Sequence, residues 1–400
     1  MDDAFVQAPE HRPVAPIAEA TGVPVIDLSP LAAMPPPPVA TVDALVTQVG
    51  AACRDWGFFV AVGHGVPEAA AARAVNAARW AAGAQGRRAA HRAGAARVLR
   101  CRAHQERQGL EGDLYMCKNV RRTDRSEHAA MSLSRREALE EYAAAMEALA
   151  FKVLELVARS LGLRPDRLHG FFGDAQTTYM RINRYPPCPR PDLALGLGRH
   201  KDSGALTIPR QDGVGGLDVR RRSAGGGGEW VRVKPVSGSL VVNLGDTIQV
   251  WSNDRYESVE HRASVNSEKE RFSIPYFSNP TRHTVVEPLQ EMVSEERPSR
   301  YHAYNWGEFF CTRRRSNFRK LEVDNMGETI HRRCGGSSTA AHLPDAQRPR
   351  PPPPPPGSGA APCLRRRPPP PPALTYLVEL PRRHPLPWLR RRPGTSAALR

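Results

Sequence analysis

The sequence predicts a mainly β fold with flanking helices, and three observations carry that expectation. Short strand-like runs crowd into one block: Asp218-Val219-Arg220-Arg221, Trp230-Val231-Arg232-Val233 and Ser239-Leu240-Val241-Val242-Asn243-Leu244. Glycine-rich turns separate them, at Gly213-Val214-Gly215-Gly216, Gly225 to Gly228 and Gly245-Asp246. Short strands at this rhythm, bounded by turn signals, point to a β-sandwich or barrel. Outside the block, Leu139, Tyr142, Met146, Leu149, Val153, Leu156 and Val157 recur at three- and four-residue steps, which is the stripe of a helix packed on a core.

Taken in order, Val23 to Leu28 reads as a first strand, and Pro35 to Pro38 breaks the chain. Val42 to Cys53 has helical spacing and Trp56 to Val62 is a strand. Residues 73 to 110 are almost all Ala, Arg and Gly; they could form an exposed helix but offer little apolar surface to bury. Ser134 to Leu161 is the long helix, Met180 to Tyr185 opens the strand-rich region, and Pro186-Pro187-Cys188-Pro189 is a rigid turn holding Cys188. Tyr301 to Leu321 reads as a last helix, with Arg313-Arg314-Arg315 as a solvated face. Beyond it, Pro351 to Pro356 and Pro368 to Pro372 favour an extended left-handed helix and cannot build a core.

Composition narrows the function. Of 400 residues, 40% are hydrophobic, enough for a folded core, yet no apolar run reaches the length of a membrane span. Met1-Asp2-Asp3-Ala4-Phe5 lacks the apolar centre of a secretory signal. Seven cysteines without a CxxC pair suit reduced thiols, so a cytoplasmic or nuclear setting is expected. The net charge of +16 is concentrated in two segments: 327 to 400 carry +10 and 73 to 110 carry +8, leaving −2 for the remainder. No specific nucleic-acid partner is therefore expected. Residues 1 to 22 read as a flexible lead-in and 327 to 400 as a disordered Pro/Arg-rich tail, with a weak proline-motif contact as the tail's alternative use.

Two constellations carry chemistry. His200 and Asp202 stand at i and i+2, so on a strand an imidazole and a carboxylate project into one space. His261 follows 59 residues after Asp202, far enough for intervening strands to bring it back. Two histidines and one carboxylate leave open positions on iron(II), as oxygen chemistry requires. His-x-Asp alone is common by chance; the strands and turns between the ligands give it weight. Arg271 and Ser273, again at i and i+2, present a guanidinium fork and a hydroxyl suited to a ligand carboxylate. His64, in His64-Gly65-Val66-Pro67, reads as a turn histidine rather than a ligand.

The chain resembles the plant-type 2-oxoglutarate/Fe(II)-dependent dioxygenase family, in its soluble group that oxidises small molecules. The matching stretches are Val23-Pro24-Val25-Ile26-Asp27-Leu28, Cys53 to Phe59, Gly63 to Pro67, Met180 to Pro189, Gly245 to Asn266, and Tyr304-Asn305-Trp306-Gly307-Glu308-Phe309. They cover residues 23 to about 72 and 132 to about 325 in the family's order. The resemblance implies a double-stranded β-helix (jelly-roll) core over 175–280. An N-terminal region over 23–131, a helical support over 132–174 and a C-terminal helix over 281–326 would surround it. It also implies iron(II) on His200, Asp202 and His261. The cosubstrates would be 2-oxoglutarate and dioxygen, and ascorbate would serve as reductant. The distal carboxylate of 2-oxoglutarate would meet Arg271 and Ser273, with Asn183 and Tyr185 helping; a packed strand aromatic remains the other reading of Tyr185. The expected reaction is hydroxylation or desaturation of a small metabolite of plant secondary metabolism, releasing succinate and carbon dioxide. The retained Asp202 favours these outcomes over halogenation, whose catalysts lack the carboxylate. A monomer with a small-molecule substrate and no membrane partner is expected.

Two departures from the family stand out. Residues 73 to 110 lack its Phe-Phe and Leu-Pro region, as either a divergent insertion or a sequence foreign to the natural product. Thr207-Ile208-Pro209-Arg210 places a proline and an arginine where aliphatic residues are usual, which either tunes the pocket or weakens the fold. Two further functions stay open: a catalytically impaired relative, and an interaction protein acting through its tail.

Overall fold

The structure is a computed structural model that describes residues 6–7, 9–13, 22–92, 112–117, 133–222 and 228–316. Two sheets face one another. The larger has seven strands: β1 (Val25–Asp27), β2 (Phe58–Val62), β3 (Gly112–Cys117), β4 (Tyr179–Tyr185), β6 (Leu206–Gln211), β9 (Leu240–Leu244) and β11 (Arg271–Ser278). Their spatial order is β1-β2-β9-β6-β11-β4-β3. The smaller holds β5 (Leu195–His200), β7 (Leu217–Arg222), β8 (Gly228–Arg232) and β10 (His261–Ser264), in the order β5-β10-β7-β8. Only β1 and β2 pair in parallel; the other neighbours in both sheets are antiparallel. Neighbours far apart in sequence, such as β9 between β2 and β6, give the jelly-roll arrangement. Among the described residues the sheets do not join into a closed barrel, so the sandwich reading holds.

Strand alternation divides the molecule into layers. Phe59, Ala61, Met180, Ile182, Leu206, Ile208, Leu240, Val242, Ile274 and Tyr276 face the helices and belong to the main core. Their strand neighbours Phe58, Val60 and Val241 point the other way, where they meet Leu217, Val219 and Val231 of the smaller sheet. The helices on the outer face are α1 (Val39–Asp55), α2 (Glu68–Arg92) and α3 (Leu133–Ser160). All seven residues of the predicted α3 stripe are buried in that core.

The Ala/Arg-rich segment begins within the first half of α2 and runs through the rest of that helix. Ala70, Ala71, Ala74, Ala77 and Ala78 are buried, so small side chains let the helix lie close to its neighbours where large apolar ones are missing. Residues 93 to 110 lie outside the described residues, as do the tail and most of the lead-in. The last helix, α5 (Trp306–Ser316), starts five residues later than the periodicity suggested. Tyr304–Asn305 instead forms a strand, β13, paired with β12 (Val285–Val286). No helix of the described residues is long and apolar enough to cross a membrane.

Pro209 and Arg210 fit the fold without disrupting it. The register of β6 with β9 covers only Leu206 and Thr207, so Pro209 stands past that partner, where a missing donor costs little. Arg210 follows the helix-facing side of β6 and donates to Glu68 at the start of α2, at 2.6 and 3.3 Å. The expected arginine beside the pocket is thus paired on the outer face.

Leu154 is fully buried in α3, and Leu154→Ala should lower stability by about 2–5 kcal/mol in denaturant unfolding. Arg210→Ala, whose partner Glu68 is 65% exposed, should cost no more than about 1 kcal/mol.

Candidate metal centre and carboxylate pocket

β5 and β10 are antiparallel neighbours, and their register sets His261 directly opposite His200. The two rings lie 4.2 Å apart between centroids. β5 ends at His200, so Asp202 is held in the turn beyond it rather than in the strand that the spacing implied. That turn is fixed from the other sheet's side. The backbone N–H of Asp246, first residue of the short helix α4 (Asp246–Trp251), donates to the Asp202 carbonyl at 2.7 Å. Gly245 permits this approach, since a Cβ there would stand 2.1 Å from the Gly204 carbonyl oxygen.

The three side chains converge. Asp202 Oδ1 lies 3.6 Å from His200 Nε2, and Asp202 Oδ2 lies 3.5 Å from His261 Nε2. Each ring is oriented by its far nitrogen: His200 Nδ1–H donates to Gly198 O at 2.8 Å and His261 Nδ1–H to Val259 O at 3.2 Å. This tautomer leaves both Nε2 lone pairs facing the carboxylate, as metal-binding imidazoles require. Phe58 meets the His261 ring edge-on at 5.5 Å. Burial alone would raise the Asp202 pKa. The His261 and His200 rings, when protonated, and the Asn243 amide outweigh it and hold the carboxyl below its ordinary range. Among the described residues, this is the set whose donors could close on one metal ion. Its chemistry, two neutral nitrogens and one carboxylate oxygen, fits iron(II) with positions left for other ligands.

The second constellation forms a compact patch. Across the β4–β11 pair, Arg271 stands opposite Tyr185 and Ser273 opposite Asn183. Asn183 Nδ2 donates to Ser273 Oγ at 3.3 Å, which leaves the serine's own proton for another acceptor. The Arg271 guanidinium lies 4.9 Å above the Tyr185 ring and reaches Gln211 Oε1 from Nη2 at 3.4 Å. Its Nε and Nη1 are buried and make no hydrogen bond among the described residues. Buried donors without acceptors are costly, so a ligand carboxylate is the partner this patch calls for. Tyr185 is 2% exposed and packs with Leu197 and Ala263, so it is a packed aromatic that also carries the arginine. Gly196 makes room for it, because a Cβ there would sit 2.5 Å from the ring.

No pattern in the sequence marks Asn243 or Gln211, which hold Asp202 and Arg271 from β9 and β6. An amide inside a strand has no local pattern to mark it. His64 is placed as expected for a turn residue: Nδ1 accepts from Val66 N–H at 3.1 Å and Nε2 donates to Gly238 O at 3.0 Å.

Residues 177–280 match the family model of the 2OG-Fe(II) oxygenase superfamily. Residues 23–81 match the model described as non-haem dioxygenase in morphine synthesis N-terminal. DMR6-like oxygenase 2 of Arabidopsis thaliana is 36% identical over 279 residues, 66% of this chain and 77% of that protein. Jasmonate-induced oxygenase 2 of the same plant is 34% identical over 324 residues, covering 75% and 82%. The chain belongs to the 2OG-Fe(II) oxygenase superfamily. A crystal structure of JOX2 in complex with 2OG, Fe and JA superposes on this oxygenase with a TM-score of 0.60 at 30% identity, covering 78% of this chain and 89% of that one. The structure of the rice dioxygenase for auxin oxidation gives 0.58 at 29%, covering 74% and 97%. As a superfamily member the chain is an oxidoreductase that uses iron(II), 2-oxoglutarate and dioxygen on small molecules.

Burial lowers the His64 pKa from 6.5. The unfolded chain therefore takes up a proton that the folded oxygenase resists. The stability is fully present above about pH 6.5, begins to be lost below that unfolded value, and is gone once pH has fallen through the lowered folded pKa. Unfolding free energies measured from pH 7.5 to 5 should fall less steeply for His64→Gln than for the wild type.

Proposed function

We propose that His200, Asp202 and His261 hold the iron(II), and that Arg271 and Ser273 receive the distal carboxylate of 2-oxoglutarate. The observation that supports this most is the buried Arg271 fork, with Nε and Nη1 unpartnered, on the same inner face as the triad. Asn183 holds Ser273 and Tyr185 carries Arg271; both act by positioning these two groups. Bound iron(II) supplies the activation of dioxygen that couples oxidation of 2-oxoglutarate to succinate and carbon dioxide with oxidation of a substrate C–H bond. The protein fixes both carboxylate contacts and keeps bulk water from them; Arg271 and Ser273 are 4% and 5% exposed.

The substrate reading is finer. Between the two sheets, Phe58, Val60, Leu217 and Val219 line an apolar interior beside the polar patch, which suits a small substrate with an apolar body. JOX2 bound to JA and the rice dioxygenase for auxin oxidation are in line with such a substrate. The catalytic unit proposed is 175–280, braced by 23–131, 132–174 and 281–326, with activity independent of residues 327–400.

Anaerobic titration with iron(II) and 2-oxoglutarate tests the assignment. The wild type should develop the visible charge-transfer absorption of a chelated keto acid. His200→Ala should abolish it. Arg271→Ala should weaken 2-oxoglutarate binding roughly 10- to 100-fold, the loss expected of a charge-assisted hydrogen bond of about 1.5–3 kcal/mol. A folded wild-type protein without the absorption would overturn the proposal.

A further inference from the structure

We infer that Asn243 is a positioning residue of the metal centre: its side-chain amide fixes which oxygen of Asp202 is offered to the metal. The inference rests on the metal assignment proposed above. Unlike the two histidines, Asp202 lies outside the β ladders, so strand pairing does not orient its carboxylate. The Asn243 Nδ2–H group donates to Asp202 Oδ2 at 3.0 Å, across 41 residues of chain, with both partners buried. Asn243 itself is held on both sides, opposite Phe58 of β2 and Thr207 of β6. It is 2% exposed and shares the inner face of β9 with Val241.

Two consequences follow from this geometry. A lone pair of Oδ2 is committed to the amide, which leaves Oδ1, near His200, as the better donor. Ligation through that one oxygen would keep positions open for 2-oxoglutarate and dioxygen. Phe58, which borders Asn243 in the sheet, is the ring that meets His261 edge-on, so one strand row braces both the carboxylate and a histidine.

Outer contacts of this kind alter metal affinity by about 10- to 100-fold. Asn243→Leu keeps the volume and removes the donor. Anaerobic equilibrium dialysis with iron(II) alone, without 2-oxoglutarate, should show binding weakened 10- to 100-fold relative to wild type. Asn243→Ala should show the same loss and guards against misfolding of the leucine variant. Val241→Ala, on the same face of the same strand, perturbs packing without touching Asp202 and should leave iron affinity within about twofold. Equal iron affinity in wild type and both Asn243 variants would overturn the inference, as would an equal loss in Val241→Ala. Failure of the wild type itself to bind iron would instead sink the metal assignment on which the inference stands.

Discussion

A carboxylate buried between two sheets is expensive, and the inner face of this protein is arranged around that cost. Asp202 is 8% exposed and lies among two imidazoles, an amide and a hydroxyl. Only His200, at the end of β5, is local to it. His261 arrives through the β5–β10 register, Asn243 from β9 and Thr207 from β6. Misplacing either sheet would leave a buried charge without partners. The site therefore does more than sit on the fold: its geometry depends on both sheets holding their register at once.

The same alternation that builds the core builds the site. Every strand of the larger sheet that touches the pocket gives one face to the helices and one to the interior. On β9, Leu240, Val242 and Leu244 join the helix-side core while Asn243 turns inward. On β11, Ile274 and Tyr276 face out and Ser273 faces in. A one-residue slip would exchange these sets and bury polar groups among the helices. Function is thus protected by the strongest structural force in the molecule, the burial of the outward-facing aliphatics.

The legible part of the site was the part written locally. Arg271 and Ser273 sit two residues apart on one strand, so period-two reasoning brings them together; His200 and Asp202 share that spacing, but Asp202 meets the histidine from beyond the end of β5. His261 needed the family's order of motifs as well, because its register with His200 is a tertiary fact. Asn243 and Gln211 could not be read, since their partners are 41 and 60 residues away and nothing local marks them. Helix existence was readable and helix ends were less so: α5 starts at Trp306 because Tyr304 and Asn305 find a strand partner at Val285 and Val286. The alanine-rich start of α2 misled in the other direction. Little apolar surface per residue still packs when the side chains are small enough for close helix contact. Arg210 was misplaced for a similar reason: sequence showed its strand, while its outward face and its partner Glu68 needed the structure.

Charge balance explains why the metal ligands and the carboxylate patch share one interior. With neutral imidazoles, Asp202 and Arg271 carry opposite charges and offset each other before any ligand binds. On the proposed assignment, iron(II) adds two positive charges and 2-oxoglutarate two negative ones, so the loaded site is also neutral. Either ligand alone would leave two unbalanced charges in a poorly solvated space, where the Coulomb cost is larger than at the surface. Each ligand thereby favours the other, without any change of shape. On the proposed assignment the roles separate: Asp202 and the histidines would set the charge and place of the metal, Arg271 would set the place of the cosubstrate, and the neutral amides of Asn243, Asn183 and Gln211 orient these groups without disturbing the sum.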